Sequence, residues 1–258
     1  MTVREITDVI EQFAPLDSQE KWDNCGLCTG SLSSHVSGVL IGFDCTEALV
    51  DEAISCGANL IITHHPLIFN PLKRISPEDS LGRTLIKALS FGISIYAAHT
   101  TADKAVGGVS YAMASRLGLE DVEILDPETP GCGLGVVGNL PRQFSYEQII
   151  SYVKERFGLK LVRCSRDPQV PISRVAMCGG AGSSLLGKAI QAQAQLFITG
   201  DVSYHNFFAP DGFMVMDIGH YESEKDIVDI LFSLLKKNFP TFAVRLSDNA
   251  DANPVRYF

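Results

Sequence analysis

Two adjacent histidines, His64 and His65, stand at the end of the apolar run Leu60-Ile-Ile-Thr63 and are followed by Pro66. A short apolar stretch ending in polar residues predicts a buried strand that delivers its histidines at its C-terminal end. In an open α/β sheet that is the end where ligands collect. A lone histidine is more often a satisfied core residue than a ligand, but two in tandem at a strand end are harder to explain as packing. Pro66 favours an extended His65, so the two rings are expected to diverge, which suits two metal ions better than one. Further along, His99 is followed four residues later by Asp103, and His220 four residues later by Glu224. Imidazole and carboxylate together suit Zn, Fe, Mn, Ni or Co. Five or six such donors are too many for one tetrahedral zinc. They suit two divalent transition-metal ions sharing a bridging carboxylate, with positions left for water. The plainer alternative is a set of surface histidines and a dipole-favoured acid at a helix start. It explains Glu224 alone and leaves the matched pairs unexplained.

The elements that must position these residues follow from periodicity and caps. Val3, Ile6, Val9, Ile10 and Phe13 fall at helical spacing and Pro15 ends that helix. A polar loop carrying Trp22-Asp-Asn24 leads to a strand at 38–43. Asp44 and Glu47 predict a capping box opening a helix that Gly57 stops. After the His-His strand come a long loop, a helix near 81–89, a strand over 93–97 that runs into His99, and a helix near 109–117. Pro127, Pro130 and neighbouring glycines predict a loop. Ser145 and Gln148 then cap a helix reaching Phe157. Strands are predicted at 160–164, 174–178, 195–199 and 213–217, with a helix through Ile190 between the second and third. A long helix from Ser223 to about Lys237 and a strand at 241–246 close the pattern. Strands alternating with helices indicate an α/β class with substantially parallel sheets.

The two halves repeat. A shift of 136 residues without a gap aligns Ser37, Val39, Leu49, Ala53, Ile54, Ala58, Leu60, Ile62 and Thr63 with identical residues from Ser173 to Thr199. An ungapped run ending in the same strand-Thr corner points to duplication, and so to two similar α/β lobes, 1–126 and 127–258. The corner after Thr63 holds His64-His65, whereas its counterpart holds Gly200-Asp201. If the lobes pack about a pseudo-two-fold axis, the two His/carboxylate pairs and the His-His corner converge in the cleft between them.

Composition narrows the function classes. A 258-residue chain with net charge −9 and no basic cluster argues against a broad nucleic-acid surface. The charged N-terminus is no signal peptide, and no apolar run approaches membrane-spanning length. Seven cysteines suggest free thiols in a reducing cytoplasm, and Cys25-Gly-Leu-Cys28 lacks the strand-to-helix setting that redox chemistry needs. Gly182-Ser-Ser-Leu-Leu-Gly-Lys188 resembles a phosphate loop, but Ala189 replaces the magnesium-binding hydroxyl and the spacing of Leu185, Leu186, Ala189 and Ile190 puts Gly187 inside a helix. Gly179-Gly-Ala-Gly182 remains open between a backbone approach to a ligand phosphate and a tight turn.

Trp22-Asp-Asn-x-Gly-Leu, Thr63-His-His-Pro, Ala98-His-Thr-x-x-Asp, Gly200-Asp-x-x-x-His205 and Gly219-His-x-x-Ser-Glu224 occur in that order. Together they resemble the GTP cyclohydrolase 1 type 2 homologue family, also called the Ngg1-interacting-factor-like proteins. The resemblance implies a duplicated two-lobed subunit, a dinuclear metal centre and a homohexamer. It implies His64, His65, Asp103, His220 and Glu224 as metal ligands, with Glu224 bridging. His99 is implied as a further ligand or a hydrogen-bond donor close to the metals, and Asp201 and His205 as cavity-lining residues. The family name implies GTP as a nucleotide substrate, hydrolytic opening of its imidazole ring, and His99 or His205 as proton carriers. A nucleotide phosphohydrolase and a metal-binding regulatory protein without catalysis are the alternatives.

Overall fold

A computed structural model describes residues 1–248 and 253–257. In chain order the first elements are α1 (Val3–Phe13), β1 (Gly26–Thr29), β2 (Val39–Gly42), α2 (Glu47–Cys56), β3 (Leu60–Thr63), α3 (Ser80–Ser90), β4 (Ser94–Ala97) and the short α4 (Thr100–Lys104). There follow α5 (Val109–Leu117), β5 (Glu120–Thr129), β6 (Cys132–Phe144), α6 (Tyr146–Phe157), β7 (Arg163–Cys164), β8 (Ile172–Met177) and α7 (Leu186–Gln191). The last are β9 (Leu196–Thr199), β10 (Met214–Asp217), α8 (His220–Glu224), α9 (Ile227–Asn238) and β11 (Val244–Leu246). Among the described residues no helix is long and apolar enough to cross a membrane.

The chain forms two compact units, Met1–Ala102 with Ile227–Pro254, and Asp103–Asp226 with Val255–Phe258. The division therefore falls elsewhere than at 126/127, a point that lies within β5. The reason is the chain's last helix and strand: α9 packs on α1 and β11 pairs with β2, so both belong to the first unit.

In the first unit the strand order is β1-β4-β3-β2-β11. β11, β2, β3 and β4 are parallel and β1 runs antiparallel along β4. Leu60, Ile61 and Ile62 of β3 are fully buried, as expected where helices cover both faces of a parallel sheet. Each such side chain contributes roughly 1.5–3 kcal/mol by leaving water, which anchors the histidine corner that follows. In the second unit the order is β5-β6-β8-β9-β10-β7, with β8, β9 and β10 parallel.

Register carries the repeat seen in the sequence. Val39 lies opposite Leu60 between β2 and β3, and Val175 opposite Leu196 between β8 and β9. The antiparallel edge strands also correspond, β1 beside β4 and β7 beside β10. Both observations are consistent with duplication.

Local chemistry explains most boundaries. Glu5 N donates to Thr2 Oγ1 and Thr2 N to Glu5 Oε2, a capping box that opens α1. Ser145 and Gln148 do the same for α6. For α2 the expected cap moves: Thr46, not Asp44, accepts the Leu49 N–H, which leaves the Asp44 carboxylate for other work.

Three further expectations change. Residues 120–144, with their prolines and glycines, form the β5–β6 hairpin rather than a loop. Pro127 is tolerated because β5 is an edge strand, and Gly131 makes the turn at φ +77°. The closing helix is two helices, α8 and α9, separated at Lys225-Asp226, where Asp226 accepts hydrogen bonds from the Arg116 guanidinium at 2.8 and 2.5 Å. Residues 26–29 pair as β1 instead of remaining loop.

Candidate metal centre

In the first unit β3 and β4 deliver three imidazoles. Thr63 Oγ1 donates to the His65 carbonyl at 2.8 Å, closing the corner on itself. The backbone N–H groups of His64 and His65 both donate to the Phe43 carbonyl at the end of β2. Phe43 also lays its ring beside both imidazoles, at centroid distances of 5.7 and 4.8 Å. His64 is fully buried.

What fixes the rings is a matched set of acceptors. His64 Nδ1 donates to the Ala98 carbonyl at 2.9 Å, His65 Nδ1 to Asp44 Oδ1 at 2.8 Å, and His99 Nδ1 to Asp23 Oδ1 at 2.8 Å. A carbonyl or carboxylate oxygen can only accept, so the proton sits on Nδ1 and Nε2 carries the lone pair. One ring nitrogen from each of His64, His65 and His99 lies within 4.8 Å of the others. The His64 and His65 rings do not diverge as the sequence led us to expect. Their centroids are 4.9 Å apart at 44°, because two different acceptors turn them towards one group.

Asp23 has no exposed side-chain surface. Its carboxylate accepts from His99 Nδ1, from the Thr100 N–H and hydroxyl, and from Cys25 Sγ. Burial pushes its pKa up, but these donors outweigh burial and hold the carboxyl well below the usual carboxylate range. Burial and the same carboxylate push the Cys25 thiol up to about 11, and burial raises Cys28 as well. Both cysteines are free, and a thiol with a raised pKa is a poor nucleophile near pH 7.

In the second unit α8 starts at the end of β10 and carries His220 and, one turn on, Glu224. His220 Nδ1 donates to Asp201 Oδ2 at 2.8 Å, and its Nε2 lies 3.0 Å from Glu224 Oε2. Glu224 is buried, and carboxylate oxygens of Asp103 and Glu224 lie within 4.8 Å of each other. Cys178, buried beside both acids, has its thiol pKa raised by burial first and by the two carboxylates second.

The Gly179–Gly182 loop serves this carboxylate. A Cβ on Gly180, whose φ is +57°, would stand 2.2 Å from Glu224 Oε1 and 3.3 Å from His220 Cε1. The Gly180 and Gly182 N–H groups donate to Ser223 Oγ at 3.0 Å and Thr199 Oγ1 at 2.9 Å. Gly180 makes room for Glu224 and Gly182 for Cys178 and Thr199, and both amides bond within the protein. Gly187 and Lys188 lie inside α7, and Lys188 Nζ sits 2.8 Å from Asp126, so no phosphate loop forms there.

The structure thus groups His64, His65 and His99 in one unit, and Asp103, His220 and Glu224 in the other. It does not bring His205 into either group. His205 is exposed on a single turn of 3-10 helix, with Tyr204 and Phe208 as its ring neighbours at 5.3 and 6.4 Å. Asp201, expected to line a cavity, orients His220. Asp23 and Asp44 were missed altogether. For Asp23 the signal was its place in Trp22-Asp-Asn24, a motif noted without a role. For Asp44 it was a position at the C-terminal end of a parallel strand, masked by a plausible helix cap.

The donor set and its holders fit a transition-metal site. Imidazoles presenting Nε2 while Nδ1 is held by an oxygen are the arrangement metal-bound histidines adopt, and the glycine loop leaves the buried Glu224 carboxylate its space.

The family model described as Duf34/NIF3 (NGG1p interacting factor 3) matches residues 1–254. A protein from Clostridium perfringens named GTP cyclohydrolase 1 type 2 homolog is 35% identical over 230 residues, 87% of each chain. NIF3-like protein 1 of Drosophila melanogaster is 31% identical over 255 residues, covering 95% of this chain and 86% of the fly protein. Among solved structures, a Bacillus cereus protein related to NIF3 superposes with a TM-score of 0.92 at 25% identity, over 100% of this chain and 99% of that one. A Staphylococcus aureus hypothetical protein gives 0.91 at 26% identity with the same coverage.

Proposed function

This chain belongs to the Duf34/NIF3 family, and from that premise we propose that it is a hydrolase built on two divalent transition-metal ions that opens the imidazole ring of a purine nucleotide of the GTP type. One observation carries the metal part. His64, His65 and His99 all give Nδ1 to an oxygen acceptor and so share one tautomer that presents Nε2, and His220 Nδ1 is held by Asp201 in the same way. Histidines that merely pack have no reason to agree in this way, whereas ligands do.

The proposed ligands are His64, His65, Asp103, His220 and Glu224, with His99, which groups with His64 and His65, proposed as a further one. Glu224 lies close to both Asp103 and His220 and is the proposed bridge. When bound, two such ions supply Lewis acidity and lower the pKa of water to about 7. Asp23, Asp44 and Asp201 hold their imidazoles by Nδ1, and Gly180 leaves the Glu224 carboxylate its place. In the overall reaction one water adds at C8 and the ring opens, and a second water releases C8 as formate. The name of the clostridial relative supports the nucleotide reading. The proposed assembly is a homohexamer in the cytoplasm.

Metal analysis of the purified protein tests the site: about two ions per chain are expected, with His65→Ala or Glu224→Gln losing at least half. Unchanged content in both variants would sink it. Incubation with GTP should release formate only when metal is present. Phosphate alone would hand the site to a phosphohydrolase, and neither product would leave a metal-binding protein without this activity. A clean monomer on sizing would overturn the hexamer.

A further inference from the structure

Trp22 and Phe69 are large aromatic side chains left 59% and 45% exposed. Both stand at the histidine group. Their ring centroids lie 6.2 and 6.3 Å from that of His99, edge-on at 71° and 73°, and 5.9 Å from each other. Neither position is accidental to its loop. Asp23, the next residue after Trp22, is the buried carboxylate that holds His99. Asn24, the residue after that, donates its Nδ2 to the Ile68 carbonyl at 2.6 Å, one residue before Phe69. That bond ties the Trp22 loop to the loop after β3, so the two rings are carried by linked segments before anything binds.

We propose that Trp22 and Phe69 form a stacking subsite for a flat heteroaromatic ring, the base of a nucleoside, held beside the His64–His65–His99 group. Two exposed aromatic rings cost solvation that a surface loop gains nothing from, whereas a π-face at the rim of a polar group is suited to a base. Stacking tolerates any base, so this pair supplies affinity and position, and the polar groups around it supply discrimination. The subsite rests on the purine-nucleotide reading above and names the residues that would recognise its base. Preorganisation by Asn24 lowers the ordering cost of binding.

The chain contains one tryptophan beside seven tyrosines, so emission excited at wavelengths beyond tyrosine absorption reports on Trp22 alone. The full-length protein as purified is titrated with guanosine and, separately, with ribose 5-phosphate. Guanosine is expected to quench the emission and ribose 5-phosphate to leave it unchanged. By equilibrium dialysis with labelled guanosine, Trp22→Ala and Phe69→Ala each weaken binding roughly tenfold or more, while Trp22→Phe retains it and Leu89→Ala, exposed on α3, changes nothing. Equal quenching by both ligands, no quenching, or unchanged affinity in both alanine variants overturns the subsite. So does a Trp22→Ala variant that loses its oligomeric state while guanosine leaves the wild type silent, since a second copy would then cover the rings. Quenching without formate release from GTP sinks the hydrolase and keeps the subsite; formate release without quenching does the reverse.

Discussion

The hold that Asp23 has on His99 is the sharpest quantity to test. Asp23→Asn keeps the shape of the side chain and replaces one acceptor oxygen with an NH2 group. The native carboxylate faces donors on both sides: His99 Nδ1 and the Asn24 N–H on Oδ1, and the Thr100 N–H, Thr100 hydroxyl and Cys25 thiol on Oδ2. An amide can satisfy only one side. With its oxygen towards His99, the NH2 meets the Thr100 N–H in a buried place, a donor–donor contact costing about 1–3 kcal/mol. Turned round, its NH2 meets the Asn24 N–H and forces His99 to carry its proton on Nε2, which removes that nitrogen as a ligand. Loss of such a holder costs about 10–100-fold in metal affinity, or roughly 1.4–2.7 kcal/mol. Asp44→Asn is the internal comparison, because the Asp44 side chain is 37% exposed and water can replace part of what it gives His65; less than about tenfold is expected there. Competition against a chelator measures the affinities, and thermal unfolding of metal-free protein should show Asp23→Asn lower by a few degrees. The sign of the pH dependence is fixed by the lowered Asp23 pKa. Its contribution is fully present above the unfolded value of about 3.9 and is lost only as pH falls towards the lower folded value. The stability gap between wild type and Asp23→Asn should therefore be flat from pH 7 to about 5 and shrink below about 4. Equal losses in the two variants, or none in either, would refute the reasoning.

Other perturbations separate the glycines and the thiols. Gly180→Ala puts a Cβ on the Glu224 carboxylate at a φ of +57°, so metal content should fall; Gly187→Ala, with open space around its Cα inside α7, should leave metal content unchanged and stabilise by up to about 1 kcal/mol. Cys25, with its pKa raised to about 11, should be alkylated at pH 8 roughly a hundredfold more slowly than an ordinary thiol. Mass spectrometry of iodoacetamide-treated protein would show this, with the rate climbing between pH 9 and 11; fast labelling at pH 8 would contradict it.

The metal-ligating candidates were legible because their elements are. Leu60–Thr63 and Leu196–Thr199 are strands over the ranges the apolar runs suggested, and a strand end fixes where His64 and His65 begin. Their holders were not legible. Asp23 and His99 are 76 residues apart, and Asp44 and His65 are 21 apart, so only folding brings each pair together. Sequence periodicity also ran past Lys225-Asp226, since both residues fit a helix; the Asp226 carboxylate there pairs with Arg116, distant in sequence, a contact that periodicity does not show. Pro127 argued for a loop because proline is excluded from inner strands, and nothing local says that β5 lies at an edge.

The pairing of β11 with β2 also orders the making of the molecule. Residues 244–246 complete a sheet begun at 39–41, and Ser247 and Asp248 then bond to the Glu52 carboxylate on α2. Every strand of the second unit, by contrast, lies within 120–217. On the ribosome the inserted unit has all its strands while the first still shows the bare edge of β2. Contacts that distant in sequence are the slow ones to form. A chain that stops before Val244 would leave an unpaired row of N–H and C=O groups exposed, the template on which sheets aggregate. The carboxyl-terminal strand thus acts as a seal on the amino-terminal unit: prematurely ended chains carry an open edge on which aggregation or degradation can act.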